Sequence, residues 1–465
     1  MANNTIEQFD AIVIGSGQGG KPLAIDLAKA GKKTAVIERQ LVGGTCINYG
    51  CTPTKTMVAS ARVAYLANRS ADYGVKTGHV EIDMHRVRER KRHMVESFRS
   101  GIEHAYEETE NLDWISGHAK FTAPKEIEIA LQDGSTRRLT AGHIFINTGT
   151  RNRLPQIEGF DTVPTFDSTS IMELDHVPDH LLIMGGGYIG VEFGQMFRRF
   201  GSKVTIIQRT SQLLQKEDLD VAREVAEILR DEGIEVEVET QVIHLAEGEV
   251  THTVRTKAPQ GLREYTCKDI LVAIGRIPNT DDLALDKAGI ATDERGYVKV
   301  NGRLETNVEG VYALGDVKGG PAFTHISYDD YRVLKANVLG GKAESISKRV
   351  IPYTVFMDPQ LGRIGMTEKE AREKGLKIKI ANMPMKNVAR ALETDETRGL
   401  IKVVIDAGTD RILGAAVVAM EGGEIMTMLQ IAMMGDLPYT RLRDAIFSHP
   451  GLGEGFNTLF ASLKE

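Results

Sequence analysis

The chain has 465 residues, enough for about three domains at the usual domain size. Lys and Arg number 57 against 64 Asp and Glu, a net charge of −7, with 26% charged and 42% hydrophobic residues. That composition excludes a disordered chain, and the acidic balance argues against a nucleic-acid protein held by a basic surface.

Residues 9–14 predict a strand that meets Gly15-Ser16-Gly17-Gln18-Gly19-Gly20, then a helix over 22–30 ended by Gly31, and a second strand over 34–37. This is one βαβ unit. A long charged helix is predicted from about 84 to 110, followed by strand-rich sequence over about 114–150. The βαβ pattern then recurs: a strand over 181–184, the turn Gly185-Gly186-Gly187-Tyr188-Ile189-Gly190, a helix over 191–200 and a strand over 204–207. From Gly15 to Gly185 is 170 residues, so the chain holds two copies of one nucleotide-binding architecture. Strands over 269–274 and 310–314 end in Gly275 and Gly315-Asp316. From about Ile351 the texture becomes α+β with no glycine fingerprint, which marks a third domain.

No apolar run approaches the ~18 residues of a membrane helix. The start Met1-Ala2-Asn3-Asn4-Thr5-Ile6-Glu7 has no basic segment, and the apolar stretch 11–14 is too short for a signal peptide. The expectation is a cytoplasmic protein with no membrane and no nucleic acid among its partners. Three cysteines, Cys46, Cys51 and Cys267, are too few for a disulfide scaffold. The first two are five residues apart, which in a reducing compartment suggests redox or metal chemistry.

In a G-x-G-x-x-G turn the first glycine allows the tight bend. The second lets the backbone approach a pyrophosphate, and the third lets helix and strand pack closely. Gly15, Gly17 and Gly20 fill these places in the first turn, and Gly185, Gly187 and Gly190 in the second. Glu38 lies 23 residues after Gly15, where a carboxylate accepts from ribose hydroxyls and repels a 2′-phosphate. The same offset from Gly185 falls on Gln208, followed by Arg209. Loss of the negative charge and gain of a positive one point to NADPH at the second site, with NADH possible. The alternative is that Gln208 still binds ribose and Arg209 is a solvated charge.

The segment Gly43-Gly44-Thr45-Cys46-Ile47-Asn48-Tyr49-Gly50-Cys51-Thr52-Pro53-Thr54-Lys55 poses a geometric problem. Five residues of regular helix rise about 7.5 Å, and most disulfides need Cα atoms within about 6.8 Å. Cys46 and Cys51 can bridge only if the helix start is distorted, which Pro53 permits because it has no N–H for the carbonyl of Tyr49. Otherwise they are two buried thiols that never pair. A helix N-terminus favours the thiolate, and Lys55, one turn past Cys51, can stabilise negative charge there. No His or Cys nearby completes a metal site.

This segment resembles the redox-active motif of the class I pyridine nucleotide-disulfide oxidoreductases. That family includes dihydrolipoamide dehydrogenase, glutathione reductase and mercuric reductase. The resemblance extends to Ile146-Asn147-Thr148-Gly149-Thr150, Leu271-Val272-Ala273-Ile274-Gly275-Arg276, Tyr312-Ala313-Leu314-Gly315-Asp316 and Ser448-His449-Pro450-Gly451-Leu452-Gly453-Glu454. It implies an α/β fold with two Rossmann-like dinucleotide-binding domains plus a C-terminal α+β dimerisation domain. The implied bounds are 1–152 with 276–347 for FAD, 153–275 for NAD(P)H, and 348–465 for the interface. FAD is implied at the first turn, with Gly44, Thr45, Lys55, Thr148 and Gly149 among its neighbours. Asp316 is implied at the ribityl chain, Ala322-Phe323-Thr324-His325 beside the flavin, and the Ala119 backbone at the adenine. Gly275 and Ile189 join the nucleotide site, Lys55 pairs with Glu192, and Tyr188 is implied as a lid over the nicotinamide.

His449, five residues before Glu454, reads as an imidazole oriented by a carboxylate, able to take a thiol proton and return it. The family implies that this pair comes from the partner subunit of a homodimer and faces Cys46. Cys51 is then the flavin-side sulfur and Cys46 the nucleophile. Cys267, alone in its neighbourhood, is assigned no chemistry. The electron acceptor is expected to be a disulfide, a thiol oxidant or a soft metal ion. Pro53-Thr54-Lys55-Thr56, Ser327-Tyr328-Asp329-Asp330-Tyr331-Arg332 and Ile351-Pro352-Tyr353-Thr354-Val355-Phe356 are similar to mercuric reductase-like and reactive-chlorine-resistance flavoproteins. No cysteine follows Cys267 to match the second pair of a mercuric reductase, so efficient Hg(II) reduction is not expected. Two alternatives are a dihydrolipoamide dehydrogenase, against which Gln208-Arg209 and Tyr188 count, and a non-catalytic flavin redox sensor or complex subunit.

Overall fold

A computed structural model describes residues 5–463. The first four residues, read above for a leader, and Lys464 and Glu465 lie outside the described residues. The chain divides into two compact units. One takes the described residues up to Thr56, then Arg88–Arg153 and Gly275–Arg349; the other takes Met57–Val87, Leu154–Ile274 and everything described from Val350 onward.

The first unit is built on a six-stranded sheet. Ile6–Ile14 pairs in parallel with Thr34–Glu38 on one side and Thr136–Ile146 on the other. Leu112–Ala123 and Val311–Ala313 extend the parallel run at its two ends, and Glu126–Leu131 joins antiparallel. Ala11, Ile12 and Val13 are buried on both faces of the sheet, which is why this strand reads as a continuous apolar run rather than an alternation. Helix Gly20–Lys29 buries Leu23, Ala24, Leu27 and Ala28, one stripe of an amphipathic helix. Ile14 lies opposite Ile37, and the Gly15 N–H donates to the Ile37 carbonyl at 2.8 Å. The first glycine turn therefore sits beside Glu38 at the carboxyl edge of the sheet, where open α/β sheets bind ligands.

The second unit repeats that arrangement in a four-stranded parallel sheet, in the order Asp269–Val272, His180–Met184, Lys203–Ile207, Glu235–Glu237. Met184 lies opposite Ile207, and the Gly185 N–H donates to the Ile207 carbonyl at 2.8 Å. Helix Tyr188–Phe200 follows the turn and ends at Gly201, whose φ of +117° gives a left-handed stop. An antiparallel three-stranded sheet runs through Gln241–Ala246, His252–Ala258 and Gly261–Cys267. A five-stranded antiparallel sheet has the order Pro352–Val355, Gln360–Gly365, Ile412–Ala419, Leu400–Asp406, Ile378–Pro384. Helix Gly422–Met434 packs on it so closely that a Cβ on Gly362 would lie 2.4 Å from the Gly422 carbonyl. Among the described residues no helix is long and apolar enough to cross a membrane.

Candidate active site

In the first turn, Gly15 has a φ of +100°, and a Cβ on it would lie 2.4 Å from the Asn147 carbonyl. A Cβ on Gly20 would lie 2.2 Å from the Gly15 carbonyl, so this glycine allows helix and strand to meet. Gly17 touches only the Asn147 side-chain amide, at 3.1 Å and 4.0 Å from such a Cβ. The Glu38 carboxylate accepts from the Ser16 N–H at 3.0 Å and its hydroxyl at 2.9 Å, and from the Gln40 N–H at 2.9 Å. The predicted acid is therefore fixed at the turn.

The cysteine segment leans on this turn. The Gly43 N–H donates to the Ser16 hydroxyl at 3.1 Å, and a Cβ on Gly44, at φ +63°, would come 2.8 Å from the Gly17 Cα. The predicted distorted helix start is a full break. Gly44–Asn48 and Cys51–Asn68 are separate helices with Tyr49 and Gly50 between them. The Asn48 amide, bonded to the carbonyls of Val42 at 2.8 Å and Gly44 at 3.1 Å, pins the first. The Thr54 N–H reaches the Gly50 carbonyl at 3.0 Å, whereas Pro53 has no N–H for Tyr49.

Both cysteines are thiols, Cys46 half-buried and Cys51 exposed. The hydrogen bond to Cys51, then burial, pushes the Cys46 thiol well above its ordinary value, with Thr324 and the Lys55 charge opposing. The two sulfurs therefore interact as a pair across the helix break. Cys51 Sγ lies 3.3 Å from the Thr324 hydroxyl, which belongs to the first turn of helix Thr324–Val338. Phe323 and His325 flank it, their rings stacked 5.4 Å apart, and Ala322 is exposed beside them.

The remaining residues of this unit gather round the same edge. Thr148 donates to the Asn279 carbonyl at 2.8 Å, and Gly149, at φ +66°, has open space where a Cβ would stand. Asp316 is half-buried and accepts from the Thr150 hydroxyl at 3.2 Å; desolvation pushes its carboxyl up, with Arg276, Thr150 and Lys318 opposing. Ala119 is buried in strand Leu112–Ala123. Gly275 clusters with this unit rather than with the second turn, its carbonyl accepting from Arg153 at 3.0 Å. Two residues here were not anticipated. Lys21, directly after the first turn, has its ammonium depressed by burial, with Cys46 opposing, so it is a second cation near the pair. The signal was a basic residue at the start of a helix that follows a phosphate turn. Asp330, with no exposure, accepts from the Gly315 N–H at 2.8 Å and binds Lys318 and Arg349 at 3.3 and 2.7 Å, which anchors the loop of Asp316.

In the second unit, Gly185 (φ +111°) and Gly190 repeat the packing roles of the first turn, with prospective Cβ contacts of 2.4 Å to Ala273 and 1.9 Å to Gly185. Gly187 differs: its φ is −80° and a Cβ there would meet nothing within 4 Å. Neither conformation nor packing requires glycine at this place. Gln208 Oε1 accepts from the Gly186 N–H at 3.0 Å, as Glu38 does from Ser16, and its amide donates to Thr210. Gln208 reproduces the anchoring of Glu38 without the charge, and Arg209 beside it is exposed. Tyr188 and Ile189 open helix Tyr188–Phe200, and buried Glu192 accepts from the Phe356 N–H at 2.8 Å. His449 is exposed, its Nδ1 2.9 and 3.0 Å from the two Glu454 oxygens, which directs Nε2 outward. Cys267 is buried and its thiol is pushed up to about 12 by burial. Among the described residues no group of three His, Cys, Asp or Glu could hold a metal ion.

Comparison with known proteins agrees with this arrangement. Residues 9–330 match the pyridine nucleotide-disulphide oxidoreductase family, and residues 351–460 match the dimerisation domain of the same family. The chain is 39% identical to a probable pyridine nucleotide-disulfide oxidoreductase, RclA, of Escherichia coli, covering 99% of this chain and 100% of that one. It is 32% identical to a mercuric reductase of Lysinibacillus sphaericus, over 97% of this chain and 81% of the relative. It is also 32% identical to a mitochondrial dihydrolipoyl dehydrogenase of Pisum sativum, over 96% and 90%. A solved structure described as the Cu(II) complex of the HOCl-induced flavoprotein disulfide reductase RclA from Escherichia coli superposes with a TM-score of 0.90 at 38% identity, over 99% of this chain and 100% of that one. With two dinucleotide turns, a dithiol at a helix break and matches along nearly its whole length, the chain belongs to the pyridine nucleotide-disulphide oxidoreductase family.

Proposed function

We propose that this protein is an FAD-dependent, NADPH-driven reductase of a small disulfide, a thiol oxidant or a soft metal ion, acting through Cys46 and Cys51. The observation that carries this reading is the pair itself: two hydrogen-bonded thiols across a helix break, one of them 3.3 Å from the Thr324 hydroxyl. The Escherichia coli neighbour, described as HOCl-induced and solved with Cu(II), supports an oxidant- or copper-linked acceptor here.

The first unit suits FAD on three counts. Gly17 and Gly44 bring two backbones within reach of a pyrophosphate, the Glu38 charge is set for ribose hydroxyls, and half-buried Asp316 offers an acceptor for the ribityl chain. Gly15, Gly20, Thr45, Lys55, Ala119, Thr148, Gly149 and Ala322 to His325 complete the set that would hold it. The chemistry FAD would supply when bound is two-electron transfer from a reduced nicotinamide to a disulfide, so that NAD(P)H, a proton and a disulfide would become NAD(P)⁺ and a dithiol. Gly187 and its turn hold the nucleotide pyrophosphate, Gln208 and Arg209 accept a 2′-phosphate, and Tyr188 lies over the nicotinamide as a lid. Cys51 is the flavin-side sulfur, with the Lys55 cation favouring its thiolate. Cys46 attacks the acceptor sulfur, or with Cys51 ligates a soft ion through thiolates. His449 of a second copy, oriented by its Glu454, takes the Cys46 proton and returns it to the leaving thiol.

The test is anaerobic turnover of the purified flavoprotein with NADPH and NADH against lipoamide, glutathione disulfide, Cu(II) and Hg(II). The expected result is NADPH preference and turnover on at least one acceptor. Cys46→Ser should keep nucleotide-driven flavin bleaching while turnover falls by about 10³-fold or more. Undiminished turnover in that variant defeats the reading.

A further inference from the structure

Behind Tyr188 the second unit carries a polar chain that none of these steps uses. Tyr188 opens helix Tyr188–Phe200, and its ring lies 5.4 Å from that of Tyr353, tilted by 38°. Tyr353 stands on Pro352–Val355, the edge strand of the five-stranded sheet, and its hydroxyl donates to Glu217. The Glu217 side chain is fully enclosed. Arg363, 1% exposed and directly opposite Tyr353 across the strand pair, places Nε 3.7 Å from Glu217 Oε2 and Nη2 3.9 Å from Asp218. Asp218 is 3.4 Å from the Lys402 ammonium.

The chemistry of this chain is directional. A phenol has one hydrogen, and Tyr353 spends it on the carboxylate, which fixes the Tyr353 ring that lies against Tyr188. Burial pushes both phenols up, Tyr188 to about 12, so both are neutral and able to donate at neutral pH. An enclosed carboxylate and guanidinium are costly to desolvate, and an apolar cluster of the same volume would stabilise the fold at least as well. The arrangement is therefore explained by what it holds at its end rather than by stability.

We propose that Tyr353, fixed by Glu217 and Arg363, is a positioning residue that holds the Tyr188 ring in the orientation competent to receive the nicotinamide. The inference rests on Tyr188 being the nicotinamide lid. Without the Tyr353 hydroxyl the Tyr188 ring spends only part of its time in that orientation, and nucleotide affinity falls by that fraction.

The test is a double-mutant cycle of Tyr353→Phe and Tyr188→Ala in the flavin-loaded protein. Its readouts are steady-state KM and kcat for NADPH, anaerobic flavin-reduction kinetics and thermal stability. Loss of one hydrogen bond at the anchor predicts that Tyr353→Phe raises the NADPH KM about threefold to tenfold, with kcat falling no more than about twofold. In the Tyr188→Ala background the same change should move KM by less than about twofold. A KM unchanged in Tyr353→Phe while Tyr188→Ala shifts it overturns the positioning role and leaves the lid reading standing. An equal rise in both backgrounds also overturns it, since the effect would not pass through Tyr188. If Tyr188→Ala leaves nucleotide KM and flavin reduction unchanged, the lid reading falls and this proposal falls with it.

Discussion

Gly187 and Gly190 stand three residues apart and are glycine for different reasons. A Cβ on Gly190 would lie 1.9 Å from the Gly185 carbonyl, whereas one on Gly187 would meet open space. Gly190→Ala is expected to abolish soluble folded protein, because backbone cannot yield to that contact. Gly187→Ala should fold with an unchanged melting temperature and raise the NADPH KM by about tenfold, since it intrudes only where the nucleotide binds; kinetics and thermal unfolding of the two variants check this. Gln208 permits a second residue-scale prediction. Its Oε1 already accepts from the Gly186 N–H, and a glutamate can accept the same bond. Gln208→Glu should leave the turn intact and move the kcat/KM ratio of NADPH to NADH by about tenfold or more toward NADH, through repulsion of the 2′-phosphate.

At the scale of elements, the break between Gly44–Asn48 and Cys51–Asn68 brings two sulfurs together that a continuous helix would hold apart. Pro53 and Gly50 made that break legible beforehand. The ion network that ties helices to a loop in the second unit was not legible. Arg199, near the end of helix Tyr188–Phe200, pairs with Asp358 and, at 2.7 Å, with Glu232; Arg62 also pairs with Asp358, and the Arg199 guanidinium lies 3.9 Å from the centre of the Tyr65 ring. Burial alone would raise the Asp358 carboxyl, but the charges and hydrogen bonds of Arg199 and Arg62 hold it below its ordinary 3.8. A depressed folded value means that its stabilisation is present above the unfolded value and is lost as pH falls through the folded one. Asp358→Asn should destabilise the protein by about 3–5 kcal/mol near neutrality, since it leaves a buried guanidinium short of a partner. The gap in melting temperature from the parent should narrow as pH is lowered below about 4; thermal unfolding between pH 7 and 3 measures both.

For the whole molecule, the region matching the family's dimerisation domain carries an apolar surface suited to a second copy. Met428, Ile431 and Met434 are exposed at helical spacing on Gly422–Met434, with Leu437 and Ile446 exposed beyond them. The His449–Glu454 pair lies in the same region. If that histidine completes the partner's site, Cys46→Ser and His449→Gln should complement each other. A mixed dimer then holds one intact site, and random pairing of equal amounts should restore about a quarter of parental turnover. Mixtures of the two inactive variants that stay inactive after subunit exchange would place both residues in one chain's site.

The two βαβ turns, the acid at Glu38, its loss at Gln208 and the cysteine pair could be read without coordinates, because each depends on residues close in sequence whose backbone demands are local. The same holds for His449 and Glu454, five residues apart. What only tertiary structure decided joins segments far apart in the chain: Thr324 at Cys51, Asp330 under the loop of Asp316, and Tyr353, Glu217 and Arg363 behind Tyr188. A lone tyrosine, glutamate or arginine carries no mark of burial in its neighbours' identities. Its role arises when strand pairing brings Tyr353 opposite Arg363, which is removed from water, where a charge is retained only if another group answers it.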